Sequence, residues 1–581
     1  MNFRNLFLSV GAVSLLAGPA QIPVAGDAEA RSIARPIPHP VNCSIFERRE
    51  YDRRAYQRSG NLGRTQASPP PVSAPPPPPS SAPVAAEKAV ITSTASKPVS
   101  TGRRVMPPRP PYPSPVLQDR ERYDGKDVAS IKRVADTPVS TFSVDVDTGS
   151  YSNVRRILNE GRTPPAAAVR TEEMVNYFRY DYPSPESRAT PFSVTTDIAT
   201  SPWNDASKLL RVGLRGYDIH ASERPRANLV FLVDVSGSMR SQDKLPLVKS
   251  TLMGLADKLR KDDRVSIVVY SGRVGKLLTA TNKKEHIKEA VDCLYASGST
   301  AGGHALKTAY QTARSSFIKG GINRIVMATD GDFNVGTSGT DELKKMVEKE
   351  RKSGVSLTML GFGRGNIRDE LMEGIANVGN GNYAYIDSAM EARKVLNDEL
   401  SSTLFTIAKD VKIQIEFNPA YVSEYRLIGY ENRLLAEEDF DNDKIDAGEI
   451  GAGHQVTAIY EIIPNGMKGW LPNRRYDGNK VTGKGKANGE MGFVKLRYKL
   501  PNGSTSRLIE RPLASNMLAR SSRPSGDMAF ATAVAAFGQK LRGDKYLGDF
   551  GYGDIRSLAG SPRSYWRQEF VKLTELAESG S

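Results

Sequence analysis

Two short segments place oxygen-bearing side chains at spacings that suit a hard cation. Asp234, Ser236 and Ser238 alternate along one extended segment, so their oxygens point the same way, and Gly237 permits a tight turn between them. Asp330 follows a second apolar run further along the chain. Carboxylates and hydroxyls suit Mg²⁺, which prefers near-octahedral oxygen coordination. This pattern alone is equally consistent with a structural role, because Asp234 and the serines could instead cap the following helix.

The elements that must position these side chains alternate between β-rich runs and amphipathic stretches. This alternation is typical of a parallel sheet with helices on both faces, in which ligands bind beyond the carboxyl ends of the strands. Both carboxylates therefore leave the sheet at the same edge. The expected strands cover residues 228–233, 264–270, 324–329, 356–362 and 382–386. The expected helices cover residues 244–259, 283–294, 305–317, 341–352 and 367–378.

The order of the motifs resembles the metal-ion-dependent adhesion site of the von Willebrand factor type A (VWA) domain family. D-V-S-G-S-M follows an apolar strand, a Gly-rich loop carries Thr300, and T-D-G-D-F-N-V-G follows a later strand. The resemblance implies a Rossmann-like sheet, with Ser236 and Ser238 as direct metal ligands. It also implies that Thr300 becomes a ligand in the bound state, and that Asp234 and Asp330 act directly or through water. Mg²⁺ is the expected ion, with Mn²⁺ or Ca²⁺ as substitutes.

In this family an acidic residue of a partner protein completes the coordination of the metal. Physically, an incompletely neutralised Mg²⁺ strongly attracts a carboxylate, while the surrounding surface supplies specificity. Asp332 and Asn334 are expected to orient water or to contact the partner. His304 is close enough in sequence to Thr300 to touch the rim of the site, although a lone histidine is more often structural.

The flanks extend the resemblance to a bacterial, envelope-associated branch of the family. The similar segments are residues 141–151, 172–182, 451–458 and 545–550, so the resemblance covers about residues 119–577. Runs with strand-like alternation lie on both sides of the α/β region and predict a β-sandwich that flanks the VWA domain or receives it as an insertion. These runs are Phe192–Ala199, Lys208–Tyr217, Val411–Phe417, Val456–Ile463 and Met491–Leu500.

One motif favours an alternative function. Asp147-Thr148-Gly149-Ser150 resembles the D-T-G-S of aspartic-type endopeptidases, in which two carboxylates share one proton. Only one such motif occurs, and Val154, Ile157 and Leu158 behind it follow helical rather than strand spacing. The same stretch also reads as a phosphatase-like D-x-D pair, whose acidic companions are remote in sequence. A turn or helix cap is the simpler interpretation of Asp147, and no catalysis is expected.

Composition excludes several classes of protein. The 581 residues carry 80 Lys+Arg against 65 Asp+Glu, and 39% are hydrophobic, which fits neither wholesale disorder nor a polytopic membrane protein. Two cysteines and five scattered histidines exclude His/Cys zinc clusters. Residues 31–117 hold 13 Lys/Arg against 4 Asp/Glu and two runs of prolines. This stretch predicts a disordered, extended tether. The tether is either a solvated spacer or a contact to anionic lipid or cell-wall polymer, and nucleic acid is not an expected partner.

The N-terminal residues predict export. Arg4 precedes the apolar run Leu6–Gly18, which is too short to span a bilayer and typical of a signal peptide. Cleavage is expected after Ala30, with Gly18-Pro19-Ala20 as the alternative. Cys43 is too far from the apolar run for lipidation. It also lies in a polar tail, whereas Cys293 lies among apolar residues, so no intramolecular disulfide is expected and Cys293 is interpreted as a small buried hydrophobe.

The sequence therefore predicts an exported, non-catalytic protein-binding module in the periplasm or cell envelope, which binds an envelope or extracellular protein through Asp or Glu. Met528–Leu541 predicts an amphipathic helix that packs in a core rather than on a membrane. The expected organisation is a signal peptide (1–30), a basic Pro-rich linker (31–118), an N-terminal VWA-associated region (119–225), a VWA domain (226–402), a β-rich C-terminal associated domain (403–515) and a C-terminal helical region (516–581).

Overall fold

The structure is a computed structural model, and it describes most of the chain after residue 119. The described residues are 40–44, 120–220, 222–299, 303–332, 339–398, 402, 404–472, 474, 488–501 and 503–580. The predicted signal peptide, most of the predicted tether, Thr300 and Asn334 lie outside the described residues.

Strands and helices are named in chain order. The strands are β1 (Lys132–Arg133), β2 (Val139–Ser143), β3 (Phe192–Thr200), β4 (Lys208–Gly216), β5 (Ala227–Asp234), β6 (Arg264–Tyr270), β7 (Val274–Thr281), β8 (Ile322–Thr329), β9 (Ser356–Phe362), β10 (Tyr383–Ile386), β11 (Thr406–Phe417), β12 (Val422–Ile428), β13 (Leu434–Leu435), β14 (Gly448–Gly451), β15 (Gln455–Pro464), β16 (Glu490–Lys499) and β17 (Ser506–Ala514). The α-helices are α1 (Gly149–Asn159), α2 (Thr171–Asn176), α3 (Leu245–Lys258), α4 (Lys284–Asp292), α5 (Gly303–Ser315), α6 (Thr340–Arg351), α7 (Asp369–Val378), α8 (Ala389–Arg393), α9 (Asn516–Arg520), α10 (Gly526–Arg542), α11 (Tyr552–Ala559) and α12 (Tyr565–Ser579).

The middle of the chain forms a six-stranded sheet in the order β10-β9-β8-β5-β6-β7. Every pair in it is parallel except β6 with β7, which are antiparallel. Strand β5 is buried along its whole length, as expected of a central strand that is covered by helices on both faces. The predicted Rossmann-like α/β fold is therefore confirmed.

Two further sheets pack face to face. Their strand orders are β1-β12-β15-β4-β3 and β13-β2-β11-β16-β17, with β14 paired to β11. One apolar core joins them, with Val194 and Leu210 from the first sheet and Ile413 and Val494 from the second. Strands β1 to β4 precede the α/β sheet in the chain and β11 to β17 follow it. The VWA domain is therefore inserted in a β-sandwich, which is one of the two arrangements that the sequence predicts.

The C-terminal helices form a third layer. Helix α10 is buried along most of its length, and Phe530, Val534 and Phe537 lie in one core with residues of α1, α2 and α12. The prediction of a core helix rather than a membrane-surface helix agrees with this packing. None of the helices in the described ranges is both long and apolar enough to cross a membrane.

A buried ionic cluster joins three segments that are distant in the sequence. Arg155 of α1 makes two hydrogen bonds to Asp387, which follows β10, at 2.7 and 2.6 Å. It also donates to Glu391 of α8 at 2.8 Å and to Glu569 of α12 at 2.9 Å. Its side chain is only 3% exposed. One guanidinium thus links the N-terminal region, the VWA domain and the C-terminal helices.

The structure contradicts the prediction about the two cysteines. Cys43 and Cys293 form a disulfide across 250 residues of sequence. Backbone pairing accounts for their proximity, because the Asn42 N–H donates to the Leu277 carbonyl (2.8 Å) and the Thr279 N–H donates to the Pro40 carbonyl (2.9 Å). The polar tail around Cys43 therefore adds to the open edge of β7, where it meets the half-buried Cys293 at the end of α4. Sequence separation and unlike surroundings gave no sign of this pairing.

Removal of the disulfide is expected to lower the free energy of unfolding by about 2–4 kcal/mol, because the cross-link restricts the unfolded chain across a long loop. Urea unfolding of the Cys43→Ser/Cys293→Ser variant measures the loss. Dithiothreitol should lower the midpoint of the unsubstituted chain and leave that of the double variant unchanged. An unsubstituted chain that is insensitive to reduction would contradict the prediction.

Candidate functional site

The first half of the predicted metal site lies where β5 ends. Asp234 is the last residue of β5 and is fully buried, and its Oδ1 accepts a hydrogen bond from the Ser236 N–H at 2.8 Å. The Ser236 and Ser238 hydroxyl oxygens lie 3.0 Å apart. Both hydroxyls lie on one side, as expected, but Ser238 lies in a 3₁₀ turn (Gly237–Arg240) rather than in the extended segment that the sequence predicted.

The second half lies on the neighbouring strand. Because β5 and β8 are parallel, with Val233 opposite Ala328, Asp330 leaves the sheet directly beside Asp234. The Thr329 hydroxyl donates to Asp234 Oδ2 at 3.3 Å and so connects the two strand ends. Gly331 follows with φ +88°, and a Cβ there would lie 2.7 Å from the Arg368 backbone nitrogen. The tight turn after Asp330 therefore requires a glycine.

Its surroundings disfavour the ionised form of Asp234. Burial, and to a smaller extent the negative charge of Asp330, together raise the pKa of Asp234 to about 7. A cation between them would offset both effects, since it favours the ionised carboxylates. The two buried carboxylates and the paired serine hydroxyls therefore form a donor set that fits a hard divalent cation.

Lys244 supplies a positive charge to this site that the sequence analysis missed. Its Nζ donates to Asp330 Oδ2 at 2.8 Å, and its side chain is 7% exposed. It directly precedes α3, and the backbone at Gly363 (φ +70°) packs against its aliphatic chain. The Asn366 amide also approaches Asp330 Oδ2, at 3.4 Å. A lysine at the start of a helix is usually solvated, so no sequence signal identified it.

The remaining predicted residues are placed only in part. Asp332 is exposed, and its N–H donates to Asp330 Oδ1 at 3.1 Å. His304 is also exposed, near the start of α5. The loop that carries Thr300 approaches the site, because the Gly237 N–H donates to the Gly298 carbonyl at 2.9 Å. Thr300 itself and Asn334 are not among the described residues.

Asp147, on which the alternative endopeptidase hypothesis rests, lies outside the candidate metal site, shortly before α1, and is 2% exposed. Its Oδ1 accepts from the Tyr383 N–H at 2.8 Å, and its Oδ2 accepts from Arg433 at 3.3 Å. Burial and the neighbouring Asp145 raise its pKa. Arg433 also donates to Asp145 and Glu373, at 3.1 Å each. With one oxygen bonded to the backbone and the other to a guanidinium, Asp147 offers no carboxylate to a substrate.

Comparison with known proteins agrees with this architecture. The von Willebrand factor type A domain pattern matches residues 228–399, and a pattern described as the C-terminal region of the uncharacterized protein YfbK matches residues 402–579. The chain is 47% identical over 469 residues to YfbK of Escherichia coli, covering 79% of this chain and 81% of that protein. The chain belongs to the YfbK family of VWA-domain proteins. The suspected resemblance is thereby confirmed.

More distant relatives share only part of the chain. Inter-alpha-trypsin inhibitor heavy chain H3 of Pongo abelii is 26% identical over 276 residues, covering 43% of this chain and 30% of that protein. A solved structure, the von Willebrand factor type A protein of Catenulispora acidiphila, is 15% identical, covers 68% of this chain and 91% of its own, and aligns with a TM-score of 0.38. Membership of the VWA family indicates a role in protein–protein interaction or adhesion.

Proposed function

We propose that this protein is an exported, non-catalytic binding module that uses a metal-ion-dependent adhesion site to hold an acidic residue of a partner protein. The observation that carries the proposal is the pair of buried carboxylates, Asp234 and Asp330, beside the Ser236 and Ser238 hydroxyls at one sheet edge. Thr300 is proposed as the ligand that engages when the partner binds. Titration of the full mature chain with Mg²⁺, by calorimetry, tests the site directly.

Mg²⁺ is the proposed ion, and Mn²⁺ or Ca²⁺ could replace it. Ser236, Ser238 and Thr300 would hold it directly, and the two aspartates directly or through water. Bound there, the ion supplies a positive charge that attracts a carboxylate of the partner. Asp332 is exposed beside the site, which suits its proposed role of orienting water or contacting the partner.

The disulfide supports export. Disulfides form and persist in oxidising compartments and are rare in the cytosol. Residues 1–30 are accordingly proposed as a signal peptide, and the periplasm or cell envelope as the location. The partner is proposed to be an envelope or extracellular protein that presents Asp or Glu, and the arginines of the tether are proposed to contact an anionic surface.

The absence of catalysis is also a proposal, and the burial of Asp147 supports it. The aspartic-type endopeptidase alternative predicts cleavage of fluorogenic peptides at low pH and its loss in Asp147→Ala. For a non-catalytic binding module, we expect no such cleavage by either the unsubstituted chain or Asp147→Ala. Acid-dependent cleavage that Asp147→Ala abolishes would overturn this part of the proposal.

Lys244→Met is expected to bind Mg²⁺ about tenfold more tightly than the unsubstituted chain. The Lys244 ammonium neutralises Asp330 where the metal must act, so its removal leaves the carboxylate available to the ion and raises the negative potential. Calorimetric titration measures the change. The matched control is Lys258→Met at the exposed end of α3, which should leave the affinity unchanged. Equal or weaker Mg²⁺ binding by Lys244→Met would show that the lysine does not compete with the metal.

A further inference from the structure

A cavity of about 790 Å³ lies between the α/β sheet and the sandwich. Its walls come from the segments in which β8 and β9 begin, from the start of β11, and from residues near Leu500 at the end of β16. The candidate metal site lies at the opposite ends of β8 and β9. We call this cavity the basic cleft. Its volume lies in the range typical of small-molecule sites, which often form at domain interfaces.

Arg324 of β8 is the unusual residue of the basic cleft. It is 2% exposed, and its NH1 group donates to the Thr358 hydroxyl at 2.7 Å. Its Nε has no hydrogen-bond partner, and Glu449 is the carboxylate whose negative charge acts on it, raising its pKa against the effect of burial. Burial lowers the pKa of Arg324 to about 10, so the side chain stays charged at neutral pH. A buried cation with a single acidic neighbour is incompletely neutralised, which points to an anion that the cleft receives from outside.

The other charged groups that line the basic cleft are mainly cationic. Arg188 and Arg351 line it, but each is paired, with Glu223 and Asp446 respectively. Lys409 and Glu449 line it close to the start of β11. Among the described lining residues Glu449 is the single carboxylate.

Apolar and aromatic groups complete the lining. The Arg188 guanidinium lies over the Tyr217 ring, with its Cζ 5.7 Å from the ring centroid. Leu404 and Ile407, which are buried, also line the cleft, as does Phe317, which is 41% exposed. The wall therefore offers a flat or apolar molecule a surface next to the Arg324 guanidinium.

We propose that the basic cleft binds a small organic anion. Its carboxylate or phosphate group accepts a hydrogen bond from the Arg324 guanidinium, and its apolar or aromatic body packs against Ile407 and Tyr217. The cleft and the metal site are at opposite ends of the same strands, so this binding does not depend on the metal.

Phenyl phosphate, benzoate, inorganic phosphate and benzyl alcohol separate the contributions of charge and apolar body. Calorimetry and thermal unfolding of the full mature chain measure binding. Phenyl phosphate or benzoate is expected to bind and to raise the unfolding temperature, inorganic phosphate to bind more weakly, and benzyl alcohol not to bind. The stronger of the two aryl anions identifies the preferred headgroup.

Four variants test whether the aryl anion binds in the basic cleft. Arg324→Gln should weaken it by about tenfold or more, because a charge-assisted hydrogen bond is lost. Lys409→Gln, at a half-buried position, should weaken it several-fold and serves if Arg324→Gln does not fold. Arg556→Gln on α11, outside the cleft, and Asp330→Asn at the metal site should bind as the unsubstituted chain does. No binding of either aryl anion at millimolar concentration, or equal binding by the Lys409 and Arg556 variants, would overturn the proposal.

Discussion

Asp330→Asn is expected to bind Mg²⁺ about a hundredfold more weakly than the unsubstituted chain, or not measurably. The substitution removes one of the two buried negative charges that make the site attractive to a divalent cation, while it keeps the shape of the side chain. Calorimetric titration of both proteins with Mg²⁺ measures the difference. The same loss is expected with Mn²⁺, because the donor set is shared.

The choice of asparagine rather than alanine follows from Lys244. Alanine would leave the buried Lys244 ammonium without its 2.8 Å acceptor and would therefore destabilise the fold as well as the site. Asparagine keeps a side-chain oxygen for that hydrogen bond. Asp257→Asn, at an exposed position of α3 away from the site, is the matched control and should bind Mg²⁺ as tightly as the unsubstituted chain. Unchanged affinity in Asp330→Asn would refute the assignment of the site.

Arg155→Met is expected to lower the free energy of unfolding by about 3–5 kcal/mol. Removal of a buried guanidinium leaves the carboxylates of Asp387, Glu391 and Glu569 without their shared cation, and uncompensated buried charge is strongly destabilising. Urea unfolding, followed by circular dichroism, measures the loss.

The control for this prediction is Arg162→Met, shortly after the end of α1. Arg162 is 45% exposed and pairs with Glu160 at 2.6 Å, so its loss should cost less than about 1 kcal/mol. Similar losses in both variants would show that the ionic cluster around Arg155 does not hold α1, the VWA domain and α12 together.

The elements that position the site were predictable because their apolar patterns are strong. The strand predicted at 228–233 is β5 at Ala227–Asp234, and the helix predicted at 244–259 is α3 at Leu245–Lys258. The flanking strands β3 and β4 were predictable for the same reason. Buried and more exposed residues alternate at the start of β3, and β4 is buried along most of its length. The parallel arrangement of β5 and β8 then follows, and it brings Asp234 and Asp330 to one edge.

Features that depend on contacts between distant residues were not predictable. Strand β7 was missed because only Leu277 and Leu278 are buried within it, so no period of two appears. The disulfide depends on the pairing of Val41 with Leu278, a contact that leaves no local pattern around Cys43. No local pattern marks Lys244 or Arg324 as a residue of a site, because only the tertiary structure buries their charges.

Affinity capture from envelope extract tests the central claim most directly. The full mature protein is used as bait in Mg²⁺ and in chelator, beside Asp330→Asn in Mg²⁺, and bound proteins are identified by mass spectrometry. The account predicts that one protein is retained by the unsubstituted chain in Mg²⁺ and lost in the other two conditions. It also predicts that substitution of one Asp or Glu on that protein abolishes the capture. Equal capture in all three conditions would contradict a metal-dependent adhesion site.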